Sequence, residues 1–203
     1  MKKCLYCHKD IINGATIFDY YFYNDLLCCS CRRKIKKYHH HFKIDNIEGF
    51  AILEYNEFFS DLLVQYKECM DEALSLVFLW GYNLIIRLLL SGYTIVYIPS
   101  SKIKLDERGF NHLEKIFKKV GLRYTDILEK TDNQKQVYLN FEEREKMINK
   151  IRIKKGMKIP KKILLVDDVF TTGSSLKGAI KVLSEHNCKV KVLVLAKKRK
   201  NHS

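Results

Sequence analysis

The segment from Ile163 to Ser175 constrains the fold more than any other part of the chain. Ile163–Val169 is a β-rich apolar run that carries two adjacent carboxylates, Asp167 and Asp168, and it predicts a strand. Ser174–Glu185 repeats apolar residues at helical spacing, and Lys191–Ala196 again has the composition of a strand. Together these segments predict a βαβ unit, in which a strand ends at a short loop that opens a helix.

Strand and helix patterns also alternate through the preceding part of the chain. Further strands are predicted at Phe50–Tyr55, Tyr93–Ile98 and residues 124–129. Helical spacing of apolar residues covers Phe58–Leu90, with a break near Gly81, and Phe110–Val120. Such alternation predicts an α/β fold with a mostly parallel sheet flanked by helices, and ligands of such sheets bind beyond the carboxyl ends of the strands.

The loop after the predicted strand has the composition of a phosphate-binding site. Loop N–H groups and a helix N-terminus bind a phosphate monoester, and small hydroxyl side chains add donors. Asp167 and Asp168 are candidates to accept hydrogen bonds from ribose hydroxyls. The candidate phosphate contacts are Thr171, Thr172, Gly173, Ser174 and Ser175. The alternative is a strand-end turn with Ser or Thr as the N-cap, which explains the hydroxyls but not the paired carboxylates.

Two Cys-x2-Cys pairs stand near the start of the chain, at Cys4 and Cys7 and at Cys28 and Cys31. Their spacing is typical of a structural zinc ribbon or knuckle. Four thiolates complete a tetrahedral shell and leave no open position for catalysis, so the predicted zinc site is structural. Cys29 is the spare thiol, because only Cys28 and Cys31 keep the spacing. The alternative is a set of reduced cysteines without a metal.

The composition changes after about residue 38, where the Cys-rich segment gives way to strand and helix patterns. We therefore predict a zinc ribbon at residues 1–44 and an α/β domain at residues 45–203. The run His39–His41 near this boundary predicts an exposed linker, with metal binding as the alternative. The chain start lacks the pattern of a secretory signal, and with reduced cysteines this predicts a cytoplasmic protein.

The most membrane-like window runs from Ala73 to Leu90. It is interrupted by Ser75, Asn83 and Arg87, and an Arg near the middle of a span costs about 2.5 kcal/mol or more. The window therefore predicts a buried core helix, and the chain is not expected to span a membrane.

The net charge of +14 is concentrated in three segments, residues 1–44, 142–162 and 189–203. Such clustering favours a positive face that binds a polyanion, because each neutralised phosphate releases counterions. The alternative is a solvated basic surface. Tyr6, Tyr38 and Phe42 lie near the basic runs and are candidates to stack on bases, with packing of the ribbon as the alternative.

From Asp167 to Ser175 the sequence resembles the type I phosphoribosyltransferase family, whose members bind phosphoribosyl pyrophosphate (PRPP), usually with Mg²⁺, at this strand, loop and helix. The resemblance implies ribose contacts for Asp167 and Asp168 and 5′-phosphate contacts for Thr171 through Ser175. Purine-salvage members place an acid where this chain has Thr171, which disfavours purine salvage. Neither a catalytic residue nor an acceptor follows from the sequence.

The order of a zinc ribbon and then a phosphoribosyltransferase-like domain resembles the ComF family of competence proteins. The resemblance also rests on Ile98-Pro99, on Arg108-Gly109-Phe110-Asn111, and on Gln136, Leu139 and Arg144. Family members usually carry Gln after the Asn and a basic pair upstream, where this chain has His112 and only Lys102 and Lys104. Arg108 is a candidate to bind pyrophosphate or a nucleic-acid phosphate, with a surface ion pair as the alternative.

The ComF resemblance implies a role in natural transformation. The function implied is that of a DNA-uptake factor that binds single-stranded DNA in the cytoplasm and retains a PRPP site. The helicase-like competence protein ComFA is the implied partner. One alternative is an active phosphoribosyltransferase with an unknown acceptor. Another is a sensor whose PRPP occupancy changes its affinity for a partner, which requires two states with different ligand affinities.

Overall fold

The computed structural model describes residues 2–11, 26–130 and 151–199 of the 203-residue chain. The strands are β1 (Lys37–Ile44), β2 (Ile47–Glu54), β3 (Thr94–Tyr97), β4 (Tyr124–Thr125), β5 (Leu128–Lys130), β6 (Ile151–Ile153), β7 (Lys162–Phe170) and β8 (Lys189–Lys197). The α-helices are α1 (Cys29–Lys34), α2 (Glu57–Glu68), α3 (Ser75–Phe78), α4 (Asn83–Leu89), α5 (Lys102–Arg108), α6 (His112–Phe117) and α7 (Ser174–Ser184). Short 3₁₀ turns lie at Glu72–Leu74 and Lys118–Val120.

The main sheet has the strand order β1-β2-β8-β7-β3-β4. All neighbouring pairs are parallel except β1 with β2, which pair antiparallel at one edge. The predicted mostly parallel α/β sheet is therefore confirmed. The predicted strand at residues 124–129 divides into β4 in the main sheet and β5, which pairs antiparallel with β6 in a separate two-stranded sheet.

The core is built around β7, which lies between β8 and β3. Residues 163–166 of this strand are at most 1% exposed, as expected for a parallel strand covered on both faces. Helix α7 buries Leu176, Ala179, Ile180 and Leu183, which recur at helical spacing. Burial of one such Leu or Ile contributes about 1.5–3 kcal/mol, so this packing holds the end of β7 and the start of α7 in place.

The predicted helical region from Phe58 to Leu90 is divided into several pieces. Helix α2 begins after Asn56, whose side-chain oxygen accepts a hydrogen bond of 2.8 Å from the Phe59 N–H. Left-handed residues then stand at both interruptions, at Met70 with φ 56° and at Gly81 with φ 81°. The chain turns at these points. The apolar periodicity therefore predicts helical structure correctly, but it does not show that the region is divided into several helices.

The prediction of a buried core helix at residues 73–90 is only partly correct. Leu74, Val77 and Phe78 are buried, but α4 exposes four apolar side chains, at Leu84, Ile85, Leu88 and Leu89. Within the described ranges no single helix is long and apolar enough to cross a membrane. Residues 72–78 and 83–89 reach that length and composition only as a pair bent by 60°.

The prediction of a linker at His39–His41 is wrong, because these residues lie within β1, but His39 and His41 are exposed as predicted. His39 Nε2 is 2.8 Å from the Tyr82 hydroxyl oxygen, and Phe42 lies opposite Gly49 of β2. Strand β1 thus joins the main sheet by its hydrogen bonds, while the cysteines of the predicted ribbon lie before it. The division into residues 1–44 and 45–203 stays a prediction.

Candidate functional site

The loop between β7 and α7 lies at the carboxyl edge of the main sheet. Thr171, Thr172 and Ser174 are exposed, and the Thr172 and Ser174 hydroxyl oxygens are 2.8 Å apart. The first turn of α7 carries no acidic residue, its N-cap residue is Gly173, and the Ser174 N–H donates a long hydrogen bond of 3.4 Å to the Thr172 hydroxyl oxygen. Because the first N–H groups of a helix lack intrahelical partners and carry partial positive charge, this edge of the eleven-residue helix suits a phosphate group.

Gly173 is required in this loop for two reasons. Its φ of 74° is left-handed, a conformation that costs a residue with a side chain roughly 1–2 kcal/mol. A Cβ atom at this position would also lie 2.9 Å from Cε2 of the Phe170 ring. The glycine therefore allows the chain to turn into α7 directly against Phe170.

The two carboxylates at the end of β7 already have protein partners. Asp168 Oδ2 contacts the Lys67 ammonium of α2 and lies 3.1 Å from His112 Nε2 of α6. Asp168 Oδ1 accepts a hydrogen bond of 2.7 Å from the Val169 N–H, and Asp167 Oδ1 accepts one of 2.9 Å from the Asp168 N–H. A ribose hydroxyl that binds Asp168 must share this carboxylate with Lys67 and His112.

Burial changes the charge balance of these groups. It lowers the pKa of Lys67 to about 8, against the opposing effect of nearby Asp167. It raises the pKa of Asp167 to about 7, although Lys67 works in the other direction. Burial also holds the pKa of His112 far below its usual range, so the ring is neutral and the Nε2–H tautomer donates to Asp168. Burial therefore shifts the pKa values of Lys67 and Asp167 toward neutrality from opposite sides.

The Arg-Gly-Phe-Asn segment forms the turn between α5 and α6. Gly109 ends α5 in a left-handed conformation, and the Asn111 side-chain oxygen accepts hydrogen bonds from the N–H groups of Leu113 (3.1 Å) and Glu114 (3.3 Å). Helix α6 thus begins at His112 rather than at Phe110. Gly109 ends one helix and Asn111 caps the next, and the turn between them brings Arg108 and His112 to neighbouring positions.

Arg108 lies close enough to Lys67 and His112 to affect their charge, and it has a protein partner of its own. Its Nη2 donates a hydrogen bond of 2.8 Å to Glu68 Oε1, and the side chain is 9% exposed. Its positive charge adds to the lowering of the pKa of both Lys67 and His112, so it acts on the same site. Glu68 itself is 62% exposed, and a ligand anion can compete with it for the guanidinium.

Lys67 carries no signal in the sequence for a role at this site, and His112 stands out there only as a departure from the family pattern. Lys67 lies 101 residues before its partner Asp168, and nothing in its own helix marks it. For His112, the available signal was its position directly after the capping residue Asn111. Of the remaining residues of the predicted resemblance, Gln136, Leu139 and Arg144 lie outside the described residues.

The four cysteines of the predicted ribbon come together in space. The sulfur atoms of Cys4, Cys7, Cys28 and Cys31 all lie within 4.8 Å of one another, and the Cys7 and Cys28 sulfurs are 3.6 Å apart. In a tetrahedral site with Zn–S bonds of about 2.3 Å, neighbouring sulfurs are about 3.8 Å apart. The four cysteines could therefore hold a metal ion, and an all-thiolate donor set suits zinc.

Local structure explains how each pair presents two sulfurs to one point. In the first pair the Cys4 N–H donates to the Lys9 carbonyl at 2.8 Å, and His8 takes a left-handed φ of 58°. In the second pair Cys28 is the N-cap residue of α1, without a side-chain capping bond, and Cys31 lies in the first turn, so both face the same side. Cys29 is exposed and stays outside the cluster.

The cysteine cluster is packed onto the α/β part of the molecule. The Leu5 N–H donates to the Leu26 carbonyl at 2.9 Å, and the Tyr6 ring lies edge-on to Phe58 with centroids 4.8 Å apart. The Arg32 guanidinium lies 5.3 Å from the Trp80 ring centroid. Tyr6 therefore packs the ribbon against α2. This is the role that was given above as the alternative to base stacking.

Two comparisons with known proteins match large parts of the chain. Residues 105–203 match the family profile of the phosphoribosyl transferase domain. The chain is 35% identical over 139 residues to competence protein ComFC from Streptococcus pneumoniae, an alignment that covers 68% of this chain. The chain spans 63% of the length of that relative.

Solved structures with similar coordinates include two phosphoribosyltransferases. A hypoxanthine phosphoribosyltransferase from Staphylococcus aureus has a TM-score of 0.38 and 11% identity, covering 60% of this chain and 64% of that one. An adenine phosphoribosyltransferase from Saccharomyces cerevisiae, complexed with D-2,5-dideoxy-2,5-imino-altritol 1,6-bisphosphate and adenine, has a TM-score of 0.35 and 14% identity, covering 83% and 86%. The profile match and the ComFC alignment confirm the resemblance predicted from the sequence: the chain is similar to competence protein ComFC, and its residues 105–203 match the phosphoribosyl transferase domain.

Proposed function

We propose that the protein is a competence factor of natural transformation that binds single-stranded DNA in the cytoplasm and retains a PRPP site. The observation that carries this proposal is the sheet edge, where the Asp167–Asp168 pair, the left-handed Gly173 and the N-terminus of α7 follow one another. Its similarity to ComFC supports a role in competence, and helicase-like ComFA is the partner we expect.

PRPP fits this edge residue by residue. The 5′-phosphate would bind at the N-terminus of α7 and the hydroxyls of residues 171–175, and the ribose hydroxyls would bind Asp167 and Asp168. Carboxylate oxygens also suit Mg²⁺, which would bind with the pyrophosphate. Lys67 and Arg108 supply positive charge on the same side, which offsets the negative charge of the bound ligand.

The cysteine cluster has a structural role in this proposal. Cys4, Cys7, Cys28 and Cys31 would hold one zinc ion, whose binding free energy adds to the stability of the N-terminal segment. Because this segment packs against α2, which carries Lys67, loss of the metal would also disturb the PRPP site.

Single-stranded DNA binding measured at several salt concentrations tests the proposal. It is measured with and without PRPP and Mg²⁺, for the wild type and for Asp168→Ala. We expect the binding constant to fall as salt rises, and a PRPP effect on affinity that disappears in the variant. Binding that is insensitive to salt would contradict the proposal, and equal affinity with and without PRPP would eliminate the sensor function.

An active phosphoribosyltransferase with an unknown acceptor is the second candidate. It is favoured by Lys67 and Asp167, whose pKa values of about 8 and about 7 lie near neutrality, as is common at active sites. An acceptor would attack the anomeric carbon while the bond to pyrophosphate breaks, and pyrophosphate would leave with the electron pair. Release of pyrophosphate across a panel of bases and amines tests this function, and no release would contradict it.

A further inference from the structure

We propose that a groove beside the β7–α7 loop binds unpaired bases and phosphates of single-stranded DNA. The groove has a volume of about 910 Å³ and lies between β1 and the ends of β7 and β8. Its main lining residues are Phe42, Lys43, Phe170, Lys197, Lys198 and Arg199, and we call it the basic groove. This inference rests on the proposed function and deepens it, because it names the surface that the DNA occupies.

The charge of the basic groove suits a polyanion. Four cationic side chains line it, at Lys43, Lys197, Lys198 and Arg199, and none of its lining residues is a carboxylate. Lys43, Lys198 and Arg199 are exposed, so their charges are available to a ligand in solution. Each phosphate that they neutralise would release counterions, which supplies sequence-independent affinity.

The aromatic part of the basic groove is held in place by two glycines. The rings of Phe42 and Phe170 have centroids 4.6 Å apart. A Cβ at Gly49 would lie 2.3 Å from the Phe42 ring, and a Cβ at Gly173 would lie 2.9 Å from the Phe170 ring. Both rings therefore lie directly against backbone, and they form a fixed apolar surface on which a base can stack.

Lys197 joins the charged and aromatic parts of the groove. Its ammonium lies 5.8 Å from the Phe42 centroid and 5.7 Å from the Phe170 centroid, although the residue is only 8% exposed. A buried cation over two rings places positive charge where a stacked base would bring its sugar and phosphate. The groove thus offers stacking and phosphate binding together, a combination typical of sites for unpaired strands.

The position of the basic groove relates it to the proposed PRPP site. Thr171 lines the groove and is also the first hydroxyl residue of the phosphate loop. A strand in the groove would therefore pass directly beside bound PRPP. Duplex DNA would keep its bases paired and away from the two rings, so the aromatic part favours a single strand.

The first experiment measures fluorescence anisotropy of a labelled oligo-dT with the full-length, zinc-loaded protein. The test variant is Lys198→Ala with Arg199→Ala, and the control is Lys118→Ala with Lys119→Ala, an exposed basic pair outside the groove. We expect the groove variant to lose about tenfold in affinity. The negative slope of log K against log salt should become shallower by about 1.4, because two phosphate contacts are lost. The control should change by less than about twofold.

The second experiment tests stacking with Phe42→Leu and Phe170→Leu. Each should weaken oligo-dT binding by about fivefold or more while the salt slope stays unchanged, because no phosphate contact is lost. If either variant unfolds, photocrosslinking of the wild type to an oligonucleotide carrying 5-iodouracil replaces it. Crosslinks at Phe42 or Phe170 support the groove, and crosslinks only elsewhere overturn it.

The outcomes separate this inference from the proposed function. If the wild type binds oligo-dT but the groove and control variants lose affinity equally, the proposal that DNA binds in the basic groove is wrong. The proposed DNA-binding function itself is then still supported. Binding of duplex as tight as that of the single strand also overturns the groove. If the wild type does not bind single-stranded DNA at all, the DNA-binding part of the proposed function fails together with the groove.

Discussion

The cysteine cluster and the sheet edge are both candidate ligand sites, but they are assembled in different ways. In the cluster, each pair of ligands is three residues apart in sequence, and local turns aim both sulfurs at one point. At the sheet edge, Asp168 contacts the side chains of Lys67 and His112, which are 101 and 56 residues away in sequence. A local pattern therefore encodes the first site, whereas the charge balance of the second depends on how helices lie over the sheet.

The difference has an energetic consequence. A metal holds its ligands through strong bonds, so the loss of one cysteine should affect the whole cluster. The sheet edge instead balances partly buried charges against one another, and single changes there should move pKa values and ligand affinity.

The largest effect is expected for Cys28→Ala. Removal of one thiolate should abolish binding of one zinc per chain and lower the free energy of unfolding by about 3 kcal/mol or more. Metal content by mass spectrometry and denaturant unfolding measure both. The control is Cys29→Ala, the exposed neighbour in α1, which should keep its zinc and its stability. A Cys28→Ala protein that retains the metal would show that the cluster does not bind it through four thiolates.

The next effect is the pH dependence of Asp167→Asn. The folded pKa of Asp167 is raised from 3.8 to about 7, so its stabilising contribution is complete below pH 3.8 and is lost as pH rises through 7. The Asn variant should therefore be more stable than the wild type at pH 8, by on the order of 2–4 kcal/mol, and equal to it near pH 4. Asn can still accept the hydrogen bond from the Asp168 N–H.

Unfolding in urea at pH 4, 6 and 8 checks this prediction. The quantity compared is the difference between variant and wild type, in which the pH dependence of metal binding cancels because it is common to both. Asp126→Asn is the control, since Asp126 is 60% exposed and its pair with Lys154 should contribute less than about 1 kcal/mol. A pH-independent difference for Asp167→Asn would rule out a burial-raised pKa.

A smaller effect is expected for Gly173→Ala. Gly173 and Gly156 both have left-handed φ, at 74° and 79°, but only Gly173 faces an obstacle, the Phe170 ring at 2.9 Å. Each alanine should cost about 1 kcal/mol through backbone strain, and the one at position 173 about 1 kcal/mol more through the clash. Denaturant unfolding measures the difference between the two. Equal costs would mean that Phe170 moves aside freely.

The smallest change in stability is expected for Glu68→Gln. The Glu68–Arg108 pair is largely exposed on the Glu side, so the free energy of unfolding should change by less than about 0.5 kcal/mol. Affinity for pyrophosphate should nevertheless rise by about twofold to fivefold, because a competing carboxylate next to Arg108 is removed. Glu72→Gln, which breaks the exposed pair with Lys115, is the matched control. Titration calorimetry with pyrophosphate decides whether only Glu68→Gln gains affinity.

Most of the architecture could be predicted from patterns along the chain. The strands β2, β3, β7 and β8 can be predicted from their β-rich apolar runs, and the helix α7 from the helical spacing of its apolar residues. The prediction failed at His39–His41, where three consecutive polar residues lie in an edge strand, and at α4, where an apolar face is exposed. In both cases the sequence pattern shows only how hydrophobic the segment is. Whether the segment is buried depends on the elements that pack around it.

The sequence by itself determined the local features of this protein. The Cys-x2-Cys spacing, the carboxylate pair at a strand end, Gly173 and the order of strands and helices follow from spacing and from the conformational needs of single residues. Only the tertiary structure decided that Lys67 and His112 bind Asp168 and that Phe42 and Phe170 meet beside Thr171. These residues are brought together by the packing of distant elements around one sheet edge. Contacts between such distant residues leave no period or spacing that can be recognised in a single sequence.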